Sequence, residues 1–159
     1  MKKYTKEQIK SVRGDFNSRG YAELEVDLGN GIKFTYFVLP QGLQPKLRYF
    51  LFRSTGDKND GYVFGVADSV PENFRPYAVA HEFIEFTEIG IDVRGRCAKA
   101  LERELNLIPS SIKSDYIKMR RDFFRDIVNY SFGSENPNMD DIGEFRESLA
   151  ILEECMVNG

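Results

Sequence analysis

An α+β fold, with a small, mostly antiparallel sheet from the N-terminal half packed against helices from the C-terminal half, follows from two observations on the sequence. As far as Val66, apolar and polar residues alternate in short runs broken by glycine and proline turns. Beyond Pro71, apolar residues recur at helical spacing to the end of the chain. Strands first and helices second, with no strand–helix–strand alternation, point to a sheet with helices layered on one face. With 159 residues and 42% hydrophobic content, the chain can bury one good core and is too short for two, so a single domain over 1–159 is expected.

Each element has its own justification. Residues 4–19 read as a helix, with Thr5 as cap, Gln8 three residues on, and Ile9, Val12 and Phe16 at helical spacing before Gly20 stops it. Residues 21–28 (YAELEVDL) alternate, Gly29-Asn30-Gly31 supplies positive-φ turn chemistry, and residues 32–39 (IKFTYFVL) return as a second strand, which makes a β-hairpin. A third strand is expected over 47–53 (LRYFLFR) and, after a loop over 54–61, a fourth over 62–66 (YVFGV). The first helix of the second half covers 73–89, with Pro76 tolerated in its first turn and Gly90 as its stop. Three more helices follow over 95–107, from Ser110 or Ser111 to 130, and over 140–156, separated by Pro109 and by a loop containing Gly133 and Pro137.

Composition narrows the function classes. The net charge is −3, and seven carboxylates beyond Ser131 face a single Arg146, which argues against that end as a nucleic-acid contact. Lys113, Lys118, Arg120, Arg121 and Arg125 are interleaved with Asp115, Asp122 and Asp126, so a self-neutralised helix face is expected there rather than a nucleic-acid interface. Arg94 and Arg96 around Gly95 resemble an anion-binding loop that Asp92 can neutralise. The 13 Phe and 8 Tyr stand beside aliphatic residues at strand and helix spacing, as a packed core requires and a base-stacking platform does not. With no run of about 18 apolar residues and an N-terminal MKKYTKEQIK that is polar, no membrane contact is expected and a cytoplasmic location is. Cys97 and Cys155 have no CxxC spacing, and no Walker or dinucleotide glycine pattern occurs. A hydrolytic triad is disfavoured, since the sole histidine would have to serve Ser or Cys residues with no local signature.

Chemistry is legible in residues 74–91, FRPYAVAHEFIEFTEIGI. His81, Glu85 and Glu88 fall on one stripe of a helix, with Val79, Phe83 and Phe86 roughly opposite. In an HExxH helix two histidines one turn apart bind zinc while the intervening glutamate activates a water. Here HEFIE keeps the first ligand, His81, and the base, Glu82, and puts Glu85 in the second ligand position. A carboxylate there admits Zn²⁺, Mn²⁺ or Fe²⁺ and shifts preference away from an all-nitrogen zinc site.

The motif, together with a sheet whose last strand leads into the HE-bearing helix and a following helix, resembles the zincin-like (HExxH-type) metallopeptidases. The resemblance implies a zincin-like fold with the substrate lying along the strand before the helix. It also implies a metal-dependent hydrolase acting on a peptide or protein, in which a metal-activated water attacks a carbonyl. His81 and Glu85 would be metal ligands and Glu82 the catalytic base; by analogy Glu102 supplies the third ligand, with Glu104 and Cys97 as the other candidates. The alternative is a solvated acidic helix face, with His81 and Glu85 in an ordinary i, i+4 contact, on a non-catalytic, metal-free binding or regulatory protein. Phe74, Tyr77 and Ala78 near the same stripe weigh against open solvent, because a covered His–Glu cluster must find partners.

Overall fold

A computed structural model describes residues 6–54, 62–90 and 92–158. The expected Thr5 cap, the loop over 55–61 and Ile91 lie outside these residues, as do the side chains of Gln8 and Ile9. The first helix, α1 (Lys6–Ser18), ends where Gly20 takes φ +78° and the Tyr21 amide bonds back to the Phe16 carbonyl at 3.1 Å. The hairpin forms as the sequence predicts. β1 (Glu23–Asp27) and β2 (Lys33–Leu39) pair antiparallel across a turn in which Gly29, Asn30 and Gly31 all have positive φ.

β3 (Leu51–Arg53) and β4 (Phe64–Ala67) complete a four-stranded sheet of order β1-β2-β4-β3. The outer pairings are antiparallel and the central one, β2 with β4, is parallel. The chain passes over the position of β4, lays down β3 at the far edge and returns between the two. β3 is four residues shorter at its start than the expected 47–53, because the Gln41 side chain captures the Leu47 carbonyl at 2.8 Å and holds that stretch as a turn. At the centre, Gly65 is required: a Cβ there would stand 2.6 Å from Leu39 Cδ1 and 3.3 Å from Phe52 Cβ.

Period-two alternation in β2 explains the layers. Phe34 and Tyr36 enter the main core with Phe64 and Val66, whereas Phe37 and Leu39 point to the other face and meet Val12, Phe16 and Tyr21. The Phe16 ring packs edge-on against Phe37 and Phe52 at 5.2 and 5.4 Å. Helices therefore cover both faces of the sheet, not one, with α1 the helix behind it among the described residues.

After β4 a 3₁₀ turn (Glu72–Phe74) leads into α2 (Arg75–Phe83), and the same rod continues as a π-helical segment (Ile84–Ile89) to Gly90, whose φ is +103°. A continuous α-helix over 73–89 was the expectation; the difference is a widened last turn, closed by the Gly90 amide on the Glu85 carbonyl at 2.8 Å. Gly95, at φ +74°, starts α3 (Arg96–Leu107), and Pro109 separates it from α4 (Ser110–Phe132). α5 (Met139–Asn158) is capped by Asn138, whose side-chain oxygen accepts from the Asp140 and Asp141 amides. α3 packs on α2, the π segment and α5, and α4 packs along α5. Among the described residues no helix is long and apolar enough to cross a membrane.

Candidate metal centre

The acidic stripe of the His81 helix does not face solvent. His81 is 3% exposed and Glu85 6%, because α3 lies across them with its own buried stripe of Cys97, Ala100, Leu101 and Glu104. Cys97 and Glu104 are seven residues apart and share that face. Glu102, the expected third ligand, stands about 140° round the helix from Cys97 and is exposed. The start of α3 at Arg96 sets this phase, so Cys97 and Glu104 reach His81 and Glu102 does not join them. Glu88 also leaves the stripe, since the wide turn delays it, and it pairs with Arg103 at the surface.

Three donor groups converge. His81 Nε2 lies 3.1 Å from a Glu85 carboxylate oxygen and 3.5 Å from Cys97 Sγ, and the ligand atoms of all three residues lie within 4.8 Å of one another. Tetrahedral zinc, with Zn–N and Zn–O near 2.1 Å and Zn–S near 2.3 Å, separates its nitrogen from its oxygen and sulfur ligands by about 3.4 and 3.6 Å. Both distances from Nε2 lie within about 0.3 Å of those edges, and the three residues form a buried group able to hold a metal ion.

Each donor is oriented by a second residue. The other ring nitrogen, Nδ1, is 2.8 Å from Glu104. An ionised carboxylate only accepts, so Nδ1 donates to Glu104, while Nε2 is turned toward Glu85 and Cys97, where a bound ion would take the place of its proton. Glu104 is itself fixed: Arg120 donates to it through Nε at 2.8 Å and Nη2 at 3.1 Å, and the Tyr116 hydroxyl donates to the same carboxylate. Arg96 Nε stands 3.1 Å from the second oxygen of Glu85, and its amide and guanidinium also engage Glu144. The Ser148 hydroxyl donates to Cys97 Sγ at 3.0 Å.

Titration follows from this packing. Burial opposes charge on His81, but Cys97, Glu104 and Glu85 outweigh it and raise the imidazole well above its ordinary value. Burial pushes Glu104 up; Arg120 and His81 overcome it and hold the carboxylate below the usual range. Glu85 is likewise held low, by His81 and Arg96 against burial. Glu82 goes the other way, to about 7, because burial and the charge of Glu85 exceed the help from His81 and Arg53. The site wants positive charge between its donors.

Glu82 shares a cavity of about 190 Å³ with His81, Glu85 and Cys97. The cavity is walled by Leu51 of β3 rather than by β4, which is an inner strand and offers no free edge beside the helix. The expected face on α4 is also rearranged. Asp122 and Asp126 pair with Arg48 from outside the helix, while Arg120 turns fully inward and stacks on Phe123 and Phe124.

His81, Cys97 and Glu104 additionally stand in the order of a thiol–imidazole–carboxylate relay, which the absence of a local signature argued against. Glu104 did carry a signal: it sits between Leu101 and Leu105 on the apolar stripe of α3, where a carboxylate must find a partner. Nothing comparable marks Tyr116 or Arg120 as its partners. Compared with protein-family models, curated proteins and solved structures, the chain matches none.

Proposed function

We propose that the protein is a metal-dependent hydrolase of zincin-like type, in which His81, Glu85 and Cys97 hold a divalent ion and Glu82 is the general base. The observation that carries this reading is the convergence of one imidazole, one carboxylate and one thiol within 4.8 Å, all buried, beside a cavity. Thiolate and imidazole together favour Zn²⁺ over Mn²⁺ or Fe²⁺. When bound, the ion supplies Lewis acidity toward a carbonyl and makes water a stronger acid. Glu104 keeps the proton on Nδ1 and so reserves Nε2 for the ion. Arg96 holds one oxygen of Glu85 and leaves the other for the site. Glu82 lines the same cavity as the three donors and is the carboxylate left to take and return a proton, as a base working on a carbonyl substrate such as a peptide needs. The departure from HExxH is accommodated by Cys97 in the place of a third nitrogen or oxygen ligand.

Metal content of natively purified protein, followed by zinc titration of chelator-treated protein, tests this. About one zinc per chain is expected in the wild type and none in His81→Ala. Failure of the folded wild type to retain or take up stoichiometric zinc sinks the metal reading.

The relay of Cys97, His81 and Glu104 favours a second reading, a metal-independent thiol hydrolase, because Sγ and Nε2 are 3.5 Å apart and Nδ1 is locked to a carboxylate. The two separate cleanly. Turnover that survives chelation and is abolished by iodoacetamide at Cys97 supports the thiol reading, and turnover that zinc restores supports the first.

A further inference from the structure

The cavity beside the candidate ligands is too large and too apolar to be explained by the polar cluster alone. Its volume is about 190 Å³. Protein interiors are close-packed, and an apolar cavity of about 150 Å³ suffices to bind benzene and stays free of water. Its apolar walls include Phe50, Leu51, Phe123, Phe124, Ile127 and Phe145, and Arg96, Arg120, Asp141 and Glu144 also line it.

The walls are ordered by function. Phe124 is buried and its ring stands edge-on to His81, with centroids 6.0 Å apart. Phe123 and Phe145 hold it at 5.6 and 6.4 Å, and the Arg120 guanidinium lies against the Phe123 and Phe124 rings at 4.6 and 4.7 Å. The ring is thus braced from several sides and cannot swing in to fill the space. Phe50, Leu51, Ile127 and Phe145 are half-buried and form the mouth. Among the lining residues the four carboxylates Glu82, Glu85, Asp141 and Glu144 outnumber the arginines Arg96 and Arg120, which disfavours an anionic group there.

We propose that this cavity binds a benzene-sized hydrocarbon group, aromatic or branched aliphatic, and that the substrate is an uncharged amide or ester carrying that group beside the bond to be cleaved. The reaction rests on the metal-centre reading; the pocket does not. Neutral substrates with a compact apolar group enter with the hydrocarbon against Phe124 and the carbonyl toward His81, Glu85 and Cys97.

Two measurements test the proposal. In the first, benzene or toluene is added to chelator-treated protein and the melting midpoint and aromatic proton signals are followed. The midpoint rises and the shifted signals belong to Phe124 and Phe145; in Ile127→Trp, which fills the mouth, neither change occurs, with circular dichroism confirming the fold. In the second, calorimetry compares acetohydroxamate with benzohydroxamate on zinc-loaded protein. Benzohydroxamate binds at least about tenfold more tightly, because its phenyl group puts about five more apolar carbons into the cavity than the methyl of acetohydroxamate. No benzene effect on the folded wild type, or equal affinity for the two hydroxamates, overturns the proposal. Should zinc not bind at all, the metal reading fails and the benzene measurement alone decides the pocket.

Discussion

His81 has no ring nitrogen to spare: one side is committed to Glu104 and the other to Glu85 and Cys97. The same economy makes Glu104 the partner of three buried groups at once, His81, Tyr116 and Arg120, and its removal leaves Arg120 charged and fully buried without a counterion. Glu104→Ala should therefore cost about 3–5 kcal/mol in urea denaturation, and adding Arg120→Met should recover part of that loss. An equal or larger loss in the double variant would refute the pairing. The pH dependence also has a definite sign. His81 and Glu82 have raised folded values, so their stabilising contributions are complete below the unfolded values and disappear as pH rises through the folded ones. Glu85 and Glu104 are lowered, so theirs are present above the unfolded carboxylate range and are lost as pH falls through the folded values. The metal-free protein should be most stable in mildly acid solution and lose stability as pH rises past about 6, with His81→Ala flattening that limb of a urea-midpoint profile. A midpoint that rises over this range contradicts the assignment. At this scale the sequence was informative wherever spacing within one helix decides, as for His81, Glu82 and Glu85. It gave no sign that Tyr116 and Arg120 meet Glu104, and its first candidate for a third ligand, Glu102, lies on the exposed side of α3 while the other candidates, Cys97 and Glu104, face His81, because the phase of α3 against α2 is a property of packing.

Among the elements, the π segment does the most to set the site, since it ends the rod just after Glu85 and turns Glu88 away. Its stop depends on Gly90, which holds φ +103° and ψ 147°, a region closed to residues with a Cβ. Nothing within 4 Å would obstruct a methyl there, so Gly90→Ala measures conformational strain alone, about 1–3 kcal/mol by equilibrium denaturation. Gly65→Ala tests the opposite case, crowding without strain: the methyl collides with Leu39, and about 1–3 kcal/mol is expected. A neutral effect at either position would show that the backbone relaxes. The hairpin and the helices were readable from alternation, glycine and proline. The wide turn was not, because an apolar stripe does not distinguish a bond to the fourth residue from one to the fifth. Nor was the inner position of β4, since its register against β2 is fixed by contacts across nearly thirty residues of chain.

Across the whole molecule, the site lies on the seam between the sheet-backed α2 and the helical pair α3 and α5. Arg96 crosses that seam, joining Glu85 to Glu144 and Asp141 on α5. An ion bound by His81, Glu85 and Cys97 would tie α2 to α3 and stabilise the fold by mass action, about 4 kcal/mol at a thousandfold excess over its dissociation constant. Zinc should raise the melting midpoint of the wild type, raise it less in Arg96→Met, and leave His81→Ala unchanged; a shift of the same size in all three would place the zinc elsewhere. The α+β class was legible because strands and helices occupy separate halves of the chain. The layer formed by α1 was not, because Val12 and Phe16 read equally well against either face of a sheet.

The chain contains one histidine, and that histidine is the centre of the site. Its imidazole is therefore a built-in spectroscopic label that needs no assignment by mutagenesis. The two ring nitrogens have different neighbours, so nitrogen NMR should resolve a hydrogen-bonded Nδ1 that stays nearly constant and an Nε2 whose signal moves when zinc is added. A single pair of resonances then reports tautomer, protonation and metal occupancy together, in solution and without a substrate.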